Sequence, residues 1–137
     1  MPDLSPAFAA TGIYAALNMA ILIWIGLATG RLRGRHKVAI GDGGVPHLTR
    51  IMRGHANAAE NIPMFFVMFI LAVLAGMPMV AIHAFGVGFT LGRVLHAWHF
   101  IQEDAPRWQR GTGFLLSFLA QVLMVVGLMG HGIGLGG

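Results

Sequence analysis

The sequence contains no cysteine, a single tyrosine and few charges: nine lysines and arginines and five aspartates and glutamates in 137 residues. Without cysteine there is no disulfide, no thiolate-bound metal and no cysteine nucleophile. The shortage of charge, with 56% hydrophobic residues and a mean hydropathy of +0.73, excludes an ordinary soluble domain and indicates an integral membrane protein. A net charge of +4 would suit nucleic acid, but no basic residue lies in an extended soluble segment able to form a binding platform. Nucleic acid is therefore not an expected partner, and membrane lipid is.

Four apolar segments, about residues 6–30, 46–76, 78–100 and 108–130, are each long enough to cross a bilayer. They predict an all-α, four-helix membrane bundle forming one domain over residues 1–137. Pro46, Pro78 and Pro106 stand at or just before helix starts, and Gly30, Gly76 and Gly130 at the ends. The run Gly130–Gly137 reads as a frayed tail. Gly88 and Gly92, four residues apart within the third segment, suggest a close approach of another helix.

The first segment is followed, rather than preceded, by the basic run Arg31–Lys37, the reverse of a signal peptide. Basic residues stay on the cytoplasmic side, so this connection is expected inside and both termini outside. With alternating helix directions, all nine lysines and arginines fall at one membrane face. Topology accounts for Arg33, Arg35 and Lys37, taken as loop residues. It leaves Arg53 and Arg93, a turn or more inside their helices.

Ionisable groups within a span usually face a bundle interior and mark a site. On the second helix, Arg50, Arg53, Asn57 and Glu60 share one face by their i, i+3, i+7, i+10 spacing, while His55 and Asn61 point elsewhere. On the third, Arg93 and His96 share a stripe with Phe100, with His99 turned away. Arg31 and Arg110 lie at the same depth. Several guanidiniums around one carboxylate favour an anionic ligand, with Glu60 pairing an arginine or receiving a ligand ammonium. Two other readings of these residues are intramembrane salt bridges that hold the bundle, and a metal site at His96, His99 and Glu60. The latter lacks the Glu-x-x-His pair of bundle metal centres, so no metal is expected.

The pattern Arg53-x-His55-x-Asn57-x-x-Glu60 closely followed by Pro63, together with Gly92-Arg93-x-x-His96, resembles the MAPEG family, the membrane-associated proteins in eicosanoid and glutathione metabolism. The resemblance spans all four helices. It implies a homotrimer that binds glutathione as co-substrate between subunits near the cytoplasmic face, and conjugates it to a lipophilic small molecule or uses it to reduce a hydroperoxide. On this likeness Arg31, Arg53, His55, Asn57, Glu60, Arg93 and His96 would hold the tripeptide. Arg110, or alternatively Arg107, would stabilise its thiolate.

The chain departs from the family pattern where many members place tyrosines, having Phe100 and Phe114, and it has Gly111 where some use serine. This favours conjugation or peroxide reduction over a prostaglandin-type isomerisation. Competing readings are a small transporter using Glu60 as coupling carboxylate, which the arginines on the same stripe disfavour, and a non-catalytic binding protein.

Overall fold

The computed structural model describes residues 3–135. Four helices follow one another: α1 Ser5–His36, α2 Pro46–Leu74, α3 Met79–Ile101 and α4 Arg107–Leu135. All four are long and apolar enough to cross a membrane. α3 and α4 form the most extensive pair, α1 packs on α2 and α3, and α4 touches α2 along a narrower seam.

Two helices outrun their sequence boundaries. α1 continues through Gly30 to His36 and so takes in Arg31, Arg33 and Arg35. At 32 residues it is about 48 Å long against roughly 30 Å of hydrocarbon, so its basic end stands clear of the apolar core. Gly30 does not stop it, because a glycine ends a helix only where the chain turns left-handed. That turn comes at Lys37 (φ 55°), where the N–H of Lys37 bonds the Gly34 carbonyl and the N–H of Val38 bonds that of Arg33. Basic residues in this last turn also complement the helix dipole. Arg33 is a strut rather than a loop charge: its guanidinium donates to the Gly41 carbonyl at 2.7 Å and tethers the α1–α2 connection. Likewise α4 runs unbroken through Gly130 to Leu135, where a frayed end was expected; residues 136–137 lie outside the described residues.

Gly76 does end α2, with φ 93° and the N–H of Met77 returning to the Ala72 carbonyl at 3.0 Å. Pro46 sits in the first turn of α2, where its missing N–H would have no helical partner. Pro63 lies inside α2, which remains one helix across it.

The apolar core has two parts. One is built on Phe65, Phe69 and Phe89 with Ile62, Ile82 and Met124, and the rings of Phe65 and Phe89 stack at 3.7 Å. The other joins Ile21, Ile25, Leu48, Ile51 and Ala97 towards the basic end. Polar ties cross between helices. The Asn18 side chain, fully buried, donates from α1 to Thr90 Oγ1 on α3 at 2.8 Å. Gln121 on α4 donates to Asn61 Oδ1 on α2 at 2.9 Å. Away from water such amide bonds hold helices that gain nothing from apolar contact alone. Tyr14, the only tyrosine, spends its hydroxyl on His83 Nδ1 at 2.8 Å. His83 thereby ties α3 to α1.

Close approach on α3 falls to Gly86 and Gly92 rather than to Gly88 and Gly92. A Cβ at Gly86 would run into the Tyr14 ring, and one at Gly92 would lie 2.8 Å from the Gly113 carbonyl oxygen, whereas Gly88 faces open space. Across that seam Gly113 meets the backbone of His96, so α3 and α4 touch backbone to backbone. Gly92→Ala is expected to cost about 1–3 kcal/mol by overpacking and to lower the melting temperature in nanodiscs by several degrees. Gly88→Ala should leave it unchanged or raise it.

Candidate functional site

At the basic end a cavity of about 870 Å³ opens between α2, α3 and α4. α2 lines it with Arg50, Arg53 and Asn57, α3 with His96, His99 and Phe100, and α4 with Arg107, Arg110, Gly111 and Phe114; Asp104 and Ala105 close it from the α3–α4 turn. Four arginines thus face one carboxylate, giving a strongly cationic chamber of a size suited to small-molecule ligands.

Arg93 stands in the wall rather than in the chamber. It is 3% exposed and donates to Asn57 Oδ1 at 2.8 Å and to His96 Nδ1 at 3.1 Å. A guanidinium can only donate, so His96 Nδ1 must accept, and this leaves the imidazole neutral with its proton on Nε2. The same bond orients the Asn57 amide, whose nitrogen remains a donor. Its partners are neutral groups, so salt bridging is not the purpose of this arginine. One of the Arg93 donors, Nε, is buried and has no partner among the described residues.

Arg50 also serves the scaffold. Its Nε donates to the Gln102 carbonyl at 2.9 Å and Nη2 to the His99 carbonyl at 2.6 Å, and His47 Nε2 lies 2.8 Å from the Ile101 carbonyl oxygen. The last carbonyls of a helix have no partner of their own, and here the start of α2 supplies partners for α3. The same guanidinium sits 5.4 Å from the centre of the Phe100 ring. Arg53, Arg107 and Arg110, all exposed, have no such duty among the described residues.

Of the residues singled out from the sequence, the fold gathers Arg53, Asn57, His96, Arg107 and Arg110 around one chamber, with Arg93 directly behind it. Arg31, His55 and Glu60 do not join it within the chain. Arg31 and Glu60 are exposed, and His55 lines a separate groove of about 400 Å³ between α1 and α2, beside Thr29 and Gly30. The helical spacing that put Glu60 on the Arg53 stripe is correct, but the chamber ends one turn short of it.

His99, expected to turn away, lines the chamber and is buried, its Nδ1 having no partner among the described residues. The signal was present: the i, i+3 spacing that sets Arg93 beside His96 sets His96 beside His99 as well. Asp104 went unnoticed because its position depends on how the α3–α4 turn folds back. Among the described residues no cluster of three or more His, Asp or Glu side chains could hold a metal.

Residues 11–130 match the sequence profile of the MAPEG family. The chain belongs to the MAPEG family. It is similar to the inner membrane protein YecN of Escherichia coli K12, with 32% identity over 116 residues that cover 85% of this chain and 87% of that protein. The counterpart from the O6:H1 strain CFT073 shows the same similarity. With its four spanning helices and this relative, the chain is a multi-pass membrane protein of MAPEG type.

In the wall of this chamber, Asn57 is the acceptor that makes the buried guanidinium tolerable. Asn57→Leu should therefore cost about 1–3 kcal/mol through the orphaned donor, read as a lower melting temperature. Asn57→Asp keeps the acceptor and should retain most of the stability.

Proposed function

We propose that this MAPEG protein is a membrane-bound glutathione transferase with peroxidase capacity. The observation that carries the reading is the arginine-lined chamber at the basic end of the bundle. Glutathione has two carboxylates, one ammonium and a thiol. Arg53 with Arg107 or Arg110 suits the carboxylates, since guanidinium forks match their geometry. The Asn57 amide nitrogen in the chamber lining is a polar partner for the peptide backbone.

The remaining groups are supplied by a second subunit. Arg31, His55 and Glu60 are ligand-binding positions on the family pattern, yet they stand outside the chamber of a single chain. A homotrimer that lays the α1–α2 groove of one subunit over the open side of the next chamber brings them to the same ligand. Glu60 then receives the glutathione ammonium, which also relieves an exposed carboxylate within a spanning helix.

The chemistry rests on the thiolate. A guanidinium beside the sulfur lowers the thiol pKa, and each unit corresponds to about 1.4 kcal/mol. Arg110 occupies the first turns of α4 beside Gly111 and Phe114 in the chamber lining, which makes it the preferred partner of the sulfur. The thiolate forms a carbon–sulfur bond with an electrophile as the leaving group departs with its electron pair. With a hydroperoxide it takes the distal oxygen as the O–O bond breaks, giving a sulfenic acid and an alkoxide that takes a proton from water to become the alcohol; a second glutathione then forms the disulfide and releases water.

Because the basic residues collect at one end, that end and the chamber lie at the cytoplasmic face, with both termini opposite. A reporter fused to the C-terminus should be active only outside the cytoplasmic membrane; activity inside reverses this topology. Purified protein in nanodiscs should gain thermal stability on addition of glutathione and turn over an aryl halide or a lipid hydroperoxide. Arg110→Ala should lower the thiolate absorbance of bound glutathione at neutral pH and reduce turnover by up to about tenfold per unit by which the thiol pKa rises, whereas Arg107→Ala should do less. Absence of both stabilisation and turnover would overturn the function, and a larger effect at Arg107 would exchange the two roles.

A further inference from the structure

The groove that holds His55 ends at Gly30 and Arg33, and a second groove of about 360 Å³ continues from these two residues towards the α1–α2 connection. Its lining is Gly30, Arg33, Gly34, Lys37, Val38 and Ala39. Gly30, Arg33 and Gly34 share one face of α1 by helical spacing, and Lys37 closes that face at the cap. Neither glycine has any atom within 4 Å of where a Cβ would stand, so the floor between the two cations is bare backbone. No acidic residue lines the groove. Asp42, the acid in the same connection, has both oxygens engaged, by the Gly44 N–H at 2.9 Å and the Thr49 hydroxyl at 3.0 Å.

Arg33 is set in place before any ligand arrives. Of the five N–H groups of a guanidinium, three are taken, by the Val38 and Gly41 carbonyls at 3.4 and 2.7 Å and the Met52 sulfur at 3.4 Å. Nε–H and one N–H of Nη2 have no partner among the described residues. A donor edge fixed in this way loses little freedom when it meets an anion. The stem of Lys37 is anchored as well, by its left-handed backbone with φ 55°. Gly43 rests so closely on Val38 that a Cβ there would not fit, which holds the connection against the groove.

Depth identifies what the groove meets. Gly30 ends the apolar run and Lys37 follows seven residues later, a rise of about 10 Å, against roughly 5–8 Å of headgroup layer on each side of the hydrocarbon. The groove therefore opens where lipid phosphates lie. Topology alone requires positive charge at this end, but neither a glycine floor nor a preset guanidinium.

We propose that this groove binds the headgroup of an anionic phospholipid, its phosphate on the remaining Arg33 N–H groups and the Lys37 ammonium. A zwitterionic headgroup is disfavoured, since its own cation would meet two others with no carboxylate to receive it. The bound lipid clamps the end of α1 to the connection that leads into α2. This does not depend on the thiol chemistry of the chamber.

Protein in nanodiscs of phosphatidylcholine with added phosphatidylglycerol, examined by native mass spectrometry, should retain phosphatidylglycerol in preference to phosphatidylcholine. It should also melt several degrees higher than in phosphatidylcholine alone. Lys37→Asn, which suits the left-handed backbone, should lower that retention about fivefold, the equivalent of one basic contact. Gly34→Leu keeps every charge but fills the floor, so it should abolish the preference while melting no lower than wild type in phosphatidylcholine. Arg35→Gln removes a charge from another face of α1 and should alter retention by less than about twofold. Equal retention of the two lipids overturns the site. So does an Arg35→Gln effect as large as that of Lys37→Asn together with an inert Gly34→Leu, the pattern of diffuse surface attraction. Inorganic phosphate that raises the melting temperature in phosphatidylcholine as far as phosphatidylglycerol does would assign the groove to a soluble phosphate instead, and overturn the lipid.

Discussion

One buried charge organises the basic half of this bundle. Arg93 sits 3% exposed within a spanning helix, where an unpaired guanidinium is far too costly to persist. Its solution is to recruit neutral acceptors, Asn57 from α2 and His96 from its own helix. That requirement fixes the distance between α2 and α3, the direction of the Asn57 amide and the tautomer of His96. Two of the chamber's walls are thus set before any ligand arrives. The α3–α4 turn and the start of α4 then close around a framework that is already in place.

The arginines divide by what their nitrogens already do. Arg33 and Arg50 are committed to backbone carbonyls, one tethering the α1–α2 connection and the other covering the end of α3. Arg93 is committed to side chains of the wall. Arg53, Arg107 and Arg110 line the chamber without such ties. A count of positive charge at one membrane face cannot separate these groups, because topology, capping and ligand recognition all draw on the same residue type. Only the bonding partners distinguish them.

Much of the bundle was legible in the sequence, because an apolar run of spanning length has few other uses and proline or glycine punctuates each one. What misled was glycine read alone. Gly76 ends its helix because the following N–H groups return to α2 carbonyls, while Gly30 and Gly130 have helical neighbours on both sides. The site was legible to the extent that it lies on one stripe: Arg53 and Asn57 by spacing on α2, Arg93 and His96 on α3. Periodicity assigns a residue to a face but does not say what that face meets. Glu60, His55 and Arg31 therefore could not be separated from the chamber until the helices were placed.

The seam of Gly92 and Gly113 has a bearing on how this site can vary. Where side chains separate two helices, the spacing can drift as they repack, with temperature, bilayer thickness or mutation. Here backbone rests on backbone beside His96, and there is no compliant layer to adjust. The seam works as a fixed gauge, holding the histidine wall and the arginine-bearing start of α4 at one separation whatever the surrounding lipid does. Diversification of such a chamber is thereby confined to its rim and its outer face, since its width is dictated by peptide groups that substitution cannot trim.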